Sequence, residues 1–285
     1  MTFRKILFPV DYSESCKAII PYIQDIVRHF SAELTVVHAY EPEVLGLIDL
    51  PVADQSFLEN ARTFEEKRLE QFVRESFPGQ SVRSMAELNE PSKAIEKEIQ
   101  DRGVDLVMLP TRGRGPMRRL LLGSVTAKVL HDVNAIVWTG TGSALTGHTP
   151  RVPYKAVLCA LSGNEEDVKV LRAAHEFATS YQAQLSLLRV VELPRSPMDI
   201  DDTTFMHALI DAADHRLSEQ KATLGIDVPH SVIEAYVADG VRRTAASAKA
   251  DLIITGRGHA QGRVSRIWSH LYEIVRESPC PVLSV

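Results

Sequence analysis

The sequence predicts an α/β protein written twice: two tandem domains, each a five-stranded parallel sheet flanked by helices. Three observations point there. Short apolar runs alternate with longer amphipathic segments along the whole chain, and that alternation is the mark of parallel βαβ units with helices on both faces of the sheet. Segments of the first half recur in the same order about 145 residues later. Between the copies, residues 141–153 are dominated by Gly, Pro, Ser and Thr, the composition of a linker. The domains are therefore expected at 1–140 and 154–285.

Residues 6–10 form a short apolar run and read as the first strand. A helix follows over 13–30, with Ala18, Ile19, Tyr22, Ile23, Ile26, Val27 and Phe30 on one face. Residues 34–39 read as the second strand, 55–77 as a charged helix and 82–88 as a strand. Pro91 opens the next helix, 91–102, as proline does well in a first turn. Two more strands, 105–109 and 135–138, enclose a helix over 124–131. In the second copy, 155–161 is expected to repeat 5–11, and 185–190 to repeat 35–40. Likewise 251–255 repeats 105–109, and 269–282 repeats 124–137 without a gap. The stretch 194–204, with Asp199, Asp201 and Asp202, reads as a solvated loop.

Bulk properties narrow the function. The 285 residues suit about two domains of ~100–200 residues each. A composition 45% hydrophobic and 24% charged is that of an ordinary globular protein. A net charge of −5 argues against a general nucleic-acid binder. Cys16, Cys159 and Cys280 are odd in number and far apart, with no metal-ligand spacing, and read as reduced thiols. The opening apolar run is too short for a signal peptide, and no run reaches membrane-spanning length. A cytoplasmic protein is expected, with no membrane insertion and no bound metal.

The chemistry concentrates in residues 108–125. A hydrophobic strand runs into a loop holding Gly113, Gly115, Arg112, Arg114, Arg118 and Arg119, then returns to Gly123-Ser124 at the start of an apolar helix. Glycine lets a backbone approach a ligand closely, and the free N–H groups of a helix start attract anions. This is the pattern of a phosphate cradle. The plainer alternative is a strand-to-helix connection with Ser124 as N-cap and a solvated arginine face.

Several residue runs together resemble the universal stress protein family, in its tandem two-domain form. They are Ile-Leu-Phe-Pro-Val-Asp at 6–11 with Ser13-Glu14-Ser15, then Val37-His38-Ala39, the 110–125 loop, and Pro279-Cys280-Pro281-Val282-Leu283. The resemblance covers essentially the whole chain. It implies a Rossmann-like fold of the adenine nucleotide alpha hydrolase-like type, with sheet order 3-2-1-4-5. One branch of the family binds ATP through a G-x-x-G, nine residues, G-S/T pattern. Here Gly113 is the second glycine, residues 114–122 the spacer, and Gly123-Ser124 the end, while Pro110 stands where the first glycine belongs. Proline removes a donor there.

The resemblance further implies that Asp11 touches base or ribose and that the backbone near Ala39 holds adenine. The expected nucleotide site thus comprises Pro9, Asp11, Ala39, Pro110, Arg112, Gly113, Arg114, Gly123, Ser124 and Val125. Its ligand would be ATP, with or without Mg2+, in the first domain only. Asp11 has a competing role as a cap for the following helix, and His38 reads as a hydrogen-bonded core histidine. The second copy is expected to be degenerate. Leu161 is taken to stand for Asp11 and Trp268 for Gly123, with Gly256, Gly258 and Ser269 as remnants.

No Walker motif, HExxH or G-x-S-x-G occurs. The expectation is a stress-response regulator without dedicated catalysis, acting through unknown protein partners. A non-nucleotide scaffold for another small anion or a lipid, or a slow ATPase, are the alternatives. Single-domain relatives pair through the last strand, so the resemblance implies an internal pairing of 135–138 with 281–285. A pseudo-twofold monomer, alone or as a homodimer, would follow.

Overall fold

The computed structural model describes residues 1–40, 55–111, 122–140, 150–192, 202–257 and 264–285, with backbone alone at 55–57, 202–203 and 264–269. The chain divides into two compact units, Thr2–Pro150 and Arg151–Val285, the latter with Met1.

The first unit runs β1 (Lys5–Pro9), α1 (Glu14–Phe30), β2 (Glu33–Tyr40), α2 (Gln55–Ser76), β3 (Val82–Leu88), α3 (Pro91–Arg102), β4 (Leu106–Pro110), α4 (Ser124–Asp132) and β5 (Ile136–Gly140). Its strands lie in the order β3-β2-β1-β4-β5, all parallel. Central strands of a parallel sheet are covered on both faces and are apolar throughout. Ile6, Leu7 and Phe8 of β1 and Leu106, Val107 and Met108 of β4 are accordingly buried. The α1 helix lays Ile19, Ile23 and Ile26 into that core at helical spacing. Its Ser13 N-cap accepts from the Cys16 N–H, and Ser31 closes it in the left-handed region at φ 52°.

The second unit runs β6 (Ala156–Leu161), α5 (Asp167–Tyr181), β7 (Gln184–Val191), α6 (Asp202–Leu224), β8 (His230–Glu234), α7 (Val237–Ser247), β9 (Leu252–Thr255), α8 (Val264–Glu277) and β10 (Val282–Ser284). Its parallel order is β8-β7-β6-β9-β10. Among the described residues each unit therefore has the five-stranded parallel sheet that the alternation predicted. The start of α6 at Asp202 shortens the loop expected at 194–204, of which 193–201 lie outside the described residues.

A carboxylate staple sets the register of both copies. Asp105 accepts the main-chain N–H groups of Arg4 and Lys5 at 2.8 and 3.2 Å. Asp251 accepts those of Lys155 and Ala156 at 2.8 and 3.1 Å. Lys155 thus corresponds to Arg4, not to Lys5. Strand pairing agrees, since Ile6 stands opposite Leu106 and Leu34, and Val157 opposite Leu252 and Leu185. The copies are offset by one residue from the expected match in β6 and β7, whereas 251–255 repeat 105–109 as expected.

A second departure concerns α8. The expected helix start was residue 269, whereas α8 begins at Val264, so the backbone at Trp268 and Ser269 is already helical. In the first unit a glycine, Gly123, precedes the helix; the corresponding segment 264–268 is Val-Ser-Arg-Ile-Trp, with no glycine or proline to interrupt it.

Candidate functional site

In the first unit β1 and β4 are neighbours whose connections leave toward opposite edges of the sheet. Such a switch point opens a crevice at the carboxyl ends of the two strands. Pro9 ends β1 opposite Val37, and Val10 continues the ladder by donating to the Val37 carbonyl at 2.8 Å. Asp11 follows, half-buried, and its Oδ1 accepts the Ser13 N–H at 2.9 Å and the Cys16 thiol at 3.0 Å. Asp11 thus stabilises the turn into α1. Burial, with the Asp11 charge second, pushes the Cys16 thiol up to about 12.

Pro110 ends β4, and its carbonyl accepts the Thr126 hydroxyl at 2.9 Å. The Gly123 N–H donates to the Thr111 carbonyl at 3.0 Å. These two bonds bind the start of α4 to the end of β4. Gly123, not Ser124, is the N-cap and offers no side chain to the helix amides. Ser124 is the first helical residue, exposed, and Val125 is half-buried. Ala39, half-buried near the end of β2, stands opposite Glu87 of β3. Arg112, Gly113 and Arg114 lie outside the described residues.

A cluster beside this crevice escaped the sequence reading. Tyr12 sits in the left-handed region at φ 59°, uncommon for a bulky residue. Its ring lies 4.4 Å from the His38 ring and 5.5 Å from that of Phe72, with the Arg68 guanidinium 4.2 Å above it. His38 Nδ1 is 2.7 Å from the Val10 carbonyl, and Nε2 is 3.5 Å from Glu65. His38 is the buried, hydrogen-bonded histidine expected. The available clue was an aromatic residue immediately after the β1 aspartate.

The corrected register changes the second unit. Ser162, not Leu161, takes the place of Asp11, and Gly163 at φ 82° takes that of Tyr12. Arg189 takes the place of His38 and donates to the Leu161 carbonyl at 3.3 Å, as His38 meets that of Val10. Gly256 corresponds to Pro110, because Arg257 N–H bonds Val285 as Thr111 N–H bonds Gly140. Ser162 gives its N–H and hydroxyl, and Gly163 its N–H, to buried Asp167 at 2.9, 3.0 and 2.6 Å.

At the carboxyl ends of β6 and β9 lies a cavity of about 350 Å3, lined by Leu161, Leu188, Val190, Gly256 and His270 among others. The inner position of Ser269 in α8 removes the helix start expected there, and Gly258 lies outside the described residues. Among the described residues no group of three or more His, Cys, Asp or Glu could hold a metal, and no helix is long and apolar enough to cross a membrane.

The profile of the universal stress protein family matches residues 2–139 and again 153–285. A universal stress protein from Archaeoglobus fulgidus has a similar structure over 99% of this chain and 97% of its own, with TM-score 0.68 and 18% identity. A universal stress protein of Methanocaldococcus jannaschii is 24% identical over 147 residues, 46% of this chain and 91% of the relative. A universal stress protein solved in complex with cAMP matches 46% of this chain and 96% of its own at 19% identity, with TM-score 0.34.

Proposed function

Because the chain belongs to the universal stress protein family, we propose that its first unit binds an adenine nucleotide, ATP, as a regulatory ligand. The observation that carries this reading is the start of α4, bound to β4 through Thr111 and Pro110 and left without a side-chain cap by Gly123. Amides at such a helix start favour a phosphate, through both their hydrogen bonds and the helix dipole. Ser124 and Val125 would supply those amides. Asp11, which follows β1 at the turn into α1, would accept a ribose hydroxyl through its carboxylate. The backbone near Ala39 would hold the base.

The bound nucleotide shifts the protein between states that partners distinguish, through its unequal affinity for them. Catalysis is no part of this reading, in which the nucleotide is a ligand and not a substrate. Isothermal titration of the full chain with ATP tests it. Binding is expected in the parent chain, at least tenfold weaker in Asp11→Ala and absent in Gly123→Trp. A parent chain that takes up no ATP ends the reading. The setting we propose is the cytoplasm.

A further inference from the structure

The turn after the first strand is built alike in both units but filled differently. In the first, the Tyr12 ring occupies the space over His38, closed in by Phe72 and Arg68. In the second, Gly163 has no side chain to place there, and a Cβ added to it would meet the Arg189 guanidinium at 2.4 Å. What is left is a second cavity of about 250 Å3, lined by Gly163, Asp167, Arg189, Arg216 and the small residues Ala212 and Ala213.

Two guanidinium groups face this cavity. Arg189 donates to the Leu161 carbonyl at 3.3 Å, and Arg216 to the Gly163 carbonyl at 3.1 Å. A guanidinium has five N–H donors, so one anchoring bond leaves most of each fork for a ligand. Among the described residues neither arginine is ion-paired. Asp167 is the acid lining this cavity, and its oxygens already accept from Ser162 and Gly163. The count at this cavity is two positive charges against one negative, and the excess falls beside Arg189, which is half-buried, where an unbalanced charge is costly. Burial pulls the Arg189 guanidinium below its ordinary pKa; Asp167 opposes that, and the like charge of Arg216 adds to it.

We propose that the second unit binds a small phosphate dianion, free or as the head of a phosphate monoester, between Arg189 and Arg216 beneath Gly163. A dianion matches two planar forks, each suited to bidentate contact with phosphate. The site is distinct from the nucleotide site proposed for the first unit and does not depend on it.

Thermal unfolding of the full chain in inorganic phosphate at pH 8, with ionic strength held by sodium chloride, tests the assignment. A rise in midpoint of about 2–4 °C is expected at saturating phosphate. The rise should vanish in Arg216→Gln, a change at an exposed residue that leaves the core intact. It should persist in Arg243→Gln, a surface control paired with Asp239, and in Gly123→Trp, which removes the first unit's phosphate position. No rise in the parent chain, a rise that survives Arg216→Gln, or one lost in Gly123→Trp overturns the proposal. So does an equal rise with succinate.

Discussion

Asp11 carries two tasks on one carboxylate, since the oxygen that closes the turn into α1 belongs to the group proposed to meet the ribose. Asp11→Ala leaves the Ser13 N–H and the Cys16 thiol without that acceptor. It is expected to cost about 1 kcal/mol in urea denaturation, apart from any change in ligand affinity. Gly163 is more constrained. Its left-handed backbone strains any side chain, and the Arg189 guanidinium would have to shift to admit a methyl group, so Gly163→Ala should lose about 1–3 kcal/mol.

The buried thiols make a pH prediction. Burial raises Cys16 and Cys280 to about 12, above the unfolded value of 9.0. Their contribution is complete below about pH 9 and falls as pH rises toward the folded values, by up to about 1.4 kcal/mol per pH unit for each thiol. Urea midpoints measured from pH 8 to 10.5 should fall less steeply in Cys16→Ala than in the parent. An identical slope contradicts the assignment. At this scale the sequence misled in one place. Aligning Lys155 with Lys5 by identity put Leu161 opposite Asp11, and a one-residue slip in a strand transposes every facing position. The Gly163–Tyr12 correspondence stayed hidden for that reason.

Among elements, what was legible followed from burial and capping. The apolar runs of β1 and β4, the helical face of α1 and the proline at the start of α3 each announce themselves, because burial on two faces, burial on one, and a preset φ leave different residue patterns. The start of α8 was not legible. A helix end without a breaker depends on tertiary context, and Val264 to Trp268 contain none. Matching C-caps link the copies as well. Ser31 and Gln182 hold φ 52° and 53° after α1 and α5, both non-glycine residues in the left-handed region. Gln182→Gly should raise stability by about 0.5–1 kcal/mol, read as a higher urea midpoint at unchanged slope. A lower midpoint would mean that the glutamine side chain contributes more than the strain it brings.

For the molecule as a whole, duplication has kept the frame and changed the contents of its two crevices. The staples at Asp105 and Asp251, the sheet orders and the His38 and Arg189 contacts recur. The helix start near Gly123, the aromatic Tyr12 and the arginine pair near Gly163 do not. The division of labour we propose gives a stoichiometry. Calorimetric titration of the full chain with ATP, analysed for the number of sites, tests it most directly. One nucleotide per chain is expected, lost in Gly123→Trp and kept in Arg216→Gln. Two equivalent sites, none, or a single site that survives Gly123→Trp would contradict it.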